Sequence, residues 1–73
     1  MYTEKIQRLE NEILEIKKAI KASKKEIKKR EKILSMVIDN DVEAEIEMYK
    51  EEIEKFTNEL KTRKELIKNY KKL

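Results

Sequence analysis

Ile33-Leu34-Ser35-Met36-Val37-Ile38-Asp39-Asn40-Asp41 decides the fold. Six uncharged residues, 33–38, are followed by three residues whose short polar side chains form turns and caps. The chain has neither Gly nor Pro. Nothing else in it interrupts a helix, and no turn can rely on a glycine at positive φ. Asn40 reads as an N-cap, with Glu43 three residues on completing a capping box. Glu43 and Glu45 would sit in the positive first turn of a second helix, and Lys68, Lys71 and Lys72 in its negative last turn. Thr3, followed by Glu4, reads as the cap of the first. Helix one is expected over about 3–37, the turn over about 38–41 and helix two over about 41–72. At 1.5 Å per residue each would be about 45–50 Å long.

Working outward, the apolar residues fall into two stripes. Ile6, Leu9, Ile13, Ile16, Ile20, Ile27 and Leu34 alternate in steps of three and four, with Ser23 and Arg30 in the slots left polar. Ile46, Tyr49, Ile53, Phe56, Leu60, Ile67 and Tyr70 do the same, with Arg63 in the polar slot. Leu34 and Ile46 are twelve residues apart, neither one heptad nor two. The seam therefore breaks where the turn formers lie.

The charges are sorted to match. Residues 17–32 hold nine bases and two acids, and residues 39–59 hold nine acids and two bases. Residues 1–16 hold four acids and two bases, and residues 60–73 six bases and one acid. Folding back near residue 40 sets each block beside one of opposite sign, which fixes orientation. The fold expected is all-α: one domain over 1–73, an antiparallel two-helix coiled-coil hairpin. An antiparallel dimer of two long helices satisfies the same blocks and stays open. In the hairpin, partner numbers totalling 76 place Ile6 by Tyr70, Leu9 by Ile67, Ile16 by Leu60, Ile20 by Phe56, Ile27 by Tyr49 and Leu34 by Val42. That register also sets Lys24 near Lys50. A shift of one heptad relieves this, so the blocks fix direction but not register.

So narrow a seam is marginal for 73 residues. Leu14, Ile33, Met36, Ile38, Met48 and Leu66 lie off the stripes and offer a second interface. The hairpin is therefore expected to dimerise into a four-helix bundle. Arg30 and Arg63 could specify register, but the preferred reading has their stems snorkelling outward. Tyr2, Tyr49 and Tyr70 read as seam residues.

Chemistry has little to stand on. With no Cys and no His, the commonest metal ligands and the commonest general base are missing. No Gly-rich loop cradles phosphate, and the carboxylates read as helix pairs such as Glu26–Arg30 and Glu51–Lys55. No catalytic residue, metal or cofactor is assigned, and no enzyme is expected. Ser35 and Asp39 match two positions of the S-Q-E-L-D motif of sporulation-type aspartyl-phosphate phosphatases, helical hairpins that carry it on the second helix. Here the stretch closes the first helix.

Two surfaces are binding candidates. Leu34, Met36, Val37, Ile38 and Val42 make an apolar hairpin tip suited to a protein partner. Lys17, Lys21, Lys24, Lys25, Lys28 and Lys32 could neutralise nucleic-acid phosphates, although no aromatic is interleaved for base stacking. In shape and length the chain resembles the plasmid copy-control hairpin proteins of the Rop type, which dimerise into four-helix bundles and bind paired RNA loops. That resemblance implies nucleic-acid binding as the alternative function, and no residue carries over.

The expected function is a protein-interaction module, a small regulator or inhibitor. A structural or designed coiled coil is the third class. Sixteen Lys against three Arg fits AT-rich codons and hence a phage or plasmid source. No apolar run follows Met1, so a cytoplasmic protein without a membrane span is expected.

Overall fold

A computed structural model describes residues 2–73. Two α-helices, α1 (Thr3–Leu34) and α2 (Asn40–Lys72), lie antiparallel with extensive contact along their length. The principal extents are 56 × 14 × 13 Å. This is the all-α hairpin that the break at 39–41 predicts. No helix among the described residues is long and apolar enough to cross a membrane.

The reversal uses no residue at positive φ among those described. α1 stops at Leu34, three residues before the expected end. The Ser35 amide still donates to Glu31 O at 3.0 Å, but the Met36 and Val37 amides both donate to Ile33 O at 3.0 Å. The last turn thus tightens and leaves the α-helical pattern. The Ser35 hydroxyl donates to Lys32 O at 2.6 Å, a local bond that favours helix ends.

The cap of α2 lies one residue earlier than expected. Asp39 is extended at φ −145°, ψ 107°. Its Oδ1 accepts from the Asp41 amide at 3.0 Å and the Val42 amide at 3.2 Å. Asn40 is already the first helical residue. The third helical position falls on Val42 rather than Glu43, so no capping box with Glu43 forms. The acids do lie where the helix dipole favours them, with Asp41 and Glu43 in the first turn and Lys71 and Lys72 in the last. At the other end Tyr2 occupies the cap position of α1 and makes no side-chain cap bond, and Thr3 is inside the helix.

The register agrees with the first pairing rather than its heptad shift. Arg30 Nε donates to Glu45 Oε2 at 2.7 Å and Arg63 Nε donates to Glu12 Oε2 at 3.2 Å. Both pairs of numbers total 75, one residue from the expected sum. At the open end the rings of Tyr2 and Tyr70 meet at 5.2 Å, with Lys5 Nζ 5.9 and 5.7 Å from their centroids.

The core is thin. Among the described residues Ile13, Ile16, Val42 and Ile46 are the buried apolar ones, and Ser23 is buried among the seam positions. No side chain among those described is below 2 % exposed. The other seam residues are half-buried, as a single pair of helices dictates: each has only one neighbour to bury against.

Candidate functional site

The tip is built by how α1 ends. Because the helix stops at Leu34, residues 35–38 span the gap between the helices instead of lying along a seam. Met36 is 71 % exposed, Val37 52 % and Ile38 95 %. Leu34 is half-buried. Val42, the fifth expected member, is in the core. Its amide is held by Asp39, and its side chain turns inward at the first turn of α2. The surface on offer is therefore Met36, Val37 and Ile38 with the edge of Leu34. Ile33 at 41 % exposure extends it. Leu14, Met48 and Leu66, expected off the seam, are also exposed.

The same segment decides the phosphatase-like pattern. Asp39 caps α2 and Ser35 bonds the end of α1. Both have structural partners, and Asp39 lies between the helices rather than on the second. Among the described residues no group of three or more His, Cys, Asp or Glu could hold a metal ion. The depressions along the surface, such as that of Glu31, Leu34, Glu43, Ile46, Glu47 and Lys50, are open grooves.

The lysines of the basic run are exposed: Lys17, Lys21, Lys24, Lys25, Lys28 and Lys32 all lie on the solvent side of α1. Lys21, Lys24, Lys25 and Lys28 line one shallow groove. Among the described residues the only lysines of the run that pair are Lys18 and Lys29, with Glu15 and Glu26 of their own helix. None of the six candidates has a carboxylate at ion-pair distance among the described residues. Opposed blocks thus set the direction of pairing through their summed potential and not through lysine contacts.

Arginine makes the contacts across the seam, which corrects the snorkelling expected of it. Arg30 is held between Glu26 at 2.5 Å and Glu45 at 2.7 Å. Its guanidinium carbon lies 4.7 Å from the centre of the Tyr49 ring. Its side chain is 20 % exposed. Arg63 bonds Glu12 across the seam and the Glu59 carbonyl on its own helix at 3.3 Å. The planar fork serves two acceptors from donors held in fixed directions, where a lysine offers a single compact ammonium. Each arginine therefore marks the register at one end of the hairpin. The seam rule alone, polar slot means outward stem, misses this. The signal available was an acid one position from the complementary slot: Glu45 beside Ile46, Glu12 beside Ile13.

The hydrogen bond from Arg30, then the charge of Lys29, holds Glu26 below its usual pKa. The hydrogen bonds that Arg30 donates to Glu26 and then to Glu45 raise the guanidinium above its own ordinary value. A lowered carboxylate stabilises the folded state fully above its ordinary value of 4.5. The contribution is lost as pH falls through the depressed value. Glu26→Gln should flatten the acid limb of a plot of melting temperature against pH while leaving its slope near neutrality unchanged. An acid limb as steep as that of the wild type would show that the pair does not persist in solution.

The molecule is thus an all-α helical hairpin with an apolar tip and a lysine-covered outer face. No protein-family model, curated protein or solved structure matches it.

Proposed function

We propose that this hairpin is a non-enzymatic protein-interaction module that docks through its tip. The observation that carries the reading is Ile38, 95 % exposed beside exposed Met36 and Val37. An apolar cluster raised on the end of a rod some 56 Å long presents itself to a groove in another protein. A regulator or inhibitor of phage or plasmid origin, acting in the cytoplasm, fits a chain of this size and lysine bias. The thin core supports self-association as well, the compact form being a dimer of hairpins in a four-helix bundle.

The test is capture of partners from a lysate of the source cell on immobilised full-length protein, washed with salt. A tip complex survives the wash, because apolar contact is not screened. Val37→Asp and Ile38→Asp should each abolish it and leave the circular dichroism unchanged. Retention of the same partner by both variants overturns tip docking. The second reading, nucleic-acid binding, is favoured by one observation, the six exposed lysines without ion pairs. It predicts bound material absorbing at 260 nm that salt releases.

A further inference from the structure

The lysine face has a counterpart on α2. Lys21, Lys25, Lys28 and Lys32 follow each other at four, three and four residues along α1, which is one stripe of a helix. Glu43, Glu47, Glu51 and Glu54 follow at four, four and three along α2. All eight are exposed. Lys21 and Lys28 each directly follow the seam residues Ile20 and Ile27, and Glu43, Glu47 and Glu54 directly follow Val42, Ile46 and Ile53. A residue directly after a seam position lies about 100° round the helix from it. The lysine stripe faces outward, and Glu43 and Glu47 border the groove that they share with Glu31 and Leu34 of α1. Among the described residues none of the eight makes an ion pair across the seam. Among the described residues only Glu47 has an ion-pair partner, Lys50 of its own helix at 3.7 Å.

The heights agree. Lys32 with Glu43, Lys28 with Glu47, Lys25 with Glu51 and Lys21 with Glu54 each have numbers totalling 75 or 76. That is the sum that Arg30–Glu45 and Arg63–Glu12 set for residues level with one another. Within one hairpin these four pairs are level but stand on exposed faces of different helices and do not meet. A second hairpin laid alongside, tip beside tip, brings its α2 against the first one's α1 with every pair in line and no axial slide.

We infer that a second copy of this chain docks on the lysine stripe of α1 through the glutamate stripe of its α2, the two hairpins pointing the same way. This rests on the self-association reading above and names its contact. The alternative occupant of the lysines, a duplex phosphate backbone, matches their charge but not the heights of Glu43, Glu47, Glu51 and Glu54. Exposed pairs are individually weak and strongly screened. Four in register act together, and their association is a low-salt property. The tip-to-tip alignment also gathers Met36, Val37 and Ile38 of both copies at one end.

Sedimentation equilibrium on the full chain tests this. At about 20 mM salt the average mass should rise with concentration above that of the monomer, without a fixed plateau because each added copy still offers a free stripe, and at about 0.5 M salt it should return to 8.9 kDa. Two charge-reversed forms are compared: one with Lys21, Lys25, Lys28 and Lys32→Glu, the other with Glu43, Glu47, Glu51 and Glu54→Lys. Each should be monomeric alone at low salt, and an equal mixture should associate. If reversal costs a form its helix, the corresponding Gln substitutions replace it and must also abolish association. A wild type that stays at 8.9 kDa in both salts removes self-association, and this contact with it. A wild type that associates equally in both salts, or reversed forms that still associate alone, leaves self-association standing and overturns this contact.

Discussion

Ile46→Ala should unfold the hairpin at or near room temperature. Ile46 is the most buried apolar residue, at 6 % exposure, in a core of four. Truncating a buried isoleucine to alanine costs about 2–5 kcal/mol through lost transfer free energy and the cavity left behind. A single core in a chain this short rarely supplies more than about 3–5 kcal/mol. One substitution therefore removes stability comparable to the whole. Ile38→Ala, the same chemical change at the exposed tip, should stay within about 0.5 kcal/mol of wild type. Thermal melts followed by circular dichroism at 222 nm compare the two. Near-equal melting temperatures would mean that the thin seam is not what holds the helices together.

The contrast between Ile46 and Ile38 also shows how much of this protein is legible in its sequence. The three-four spacing of Ile6 to Leu34 and of Ile46 to Tyr70 reports which side of each helix is apolar, and a helix has one seam. The twelve-residue gap between the stripes reports where the chain turns. Leu14, Ile33, Met36, Ile38, Met48 and Leu66 fall outside the stripes and are all exposed. Such inferences depend only on the geometry of a helix, which is the same wherever the sequence occurs.

What escapes a reading of near neighbours depends on the helix face and on partners from elsewhere. Nearness to the turn groups Val42 with the tip, but it stands four residues before Ile46 and so shares the face of α2 that packs in the core, as its pairing with Leu34 already implies. Arg30 looks outward on its own helix. It turns inward because Glu45, fifteen residues on, meets it with a carboxylate at 2.7 Å. The charge blocks gave the sign of this attraction correctly, but not that two arginines among nineteen basic residues would make the cross-seam bonds. Lysines at the neighbouring positions keep their hydration, because an ammonium gains little from an exposed pair.

Asp39→Ala should change the shape of the molecule as well as its stability. Asp39 receives the Asp41 and Val42 amides on one oxygen and holds the extended backbone that separates the helices. Losing such a cap costs about 1 kcal/mol, within a range of roughly 0.5–2, a large share of what so small a core provides. Alanine also favours helix at that position by removing the competing side-chain bond. With no Gly, no Pro and no positive φ in the turn, little then opposes helix through residues 35–41. The opened chain approaches a single helix of about 70 residues, near 105 Å at 1.5 Å per residue. Its blocks would find their opposites only on another chain, giving an antiparallel dimer of long helices. Small-angle scattering should show a maximum dimension well beyond the hairpin's 56 Å. Asp39→Asn, which keeps the acceptor, should preserve the hairpin. Asn40→Ala separates the observed cap from the one its neighbour suggests. Its side chain accepts neither amide, so both length and melting temperature should stay near wild type. Elongation of the Asn40 variant with a compact Asp39 variant would move the cap to Asn40 and take the geometry of the turn with it.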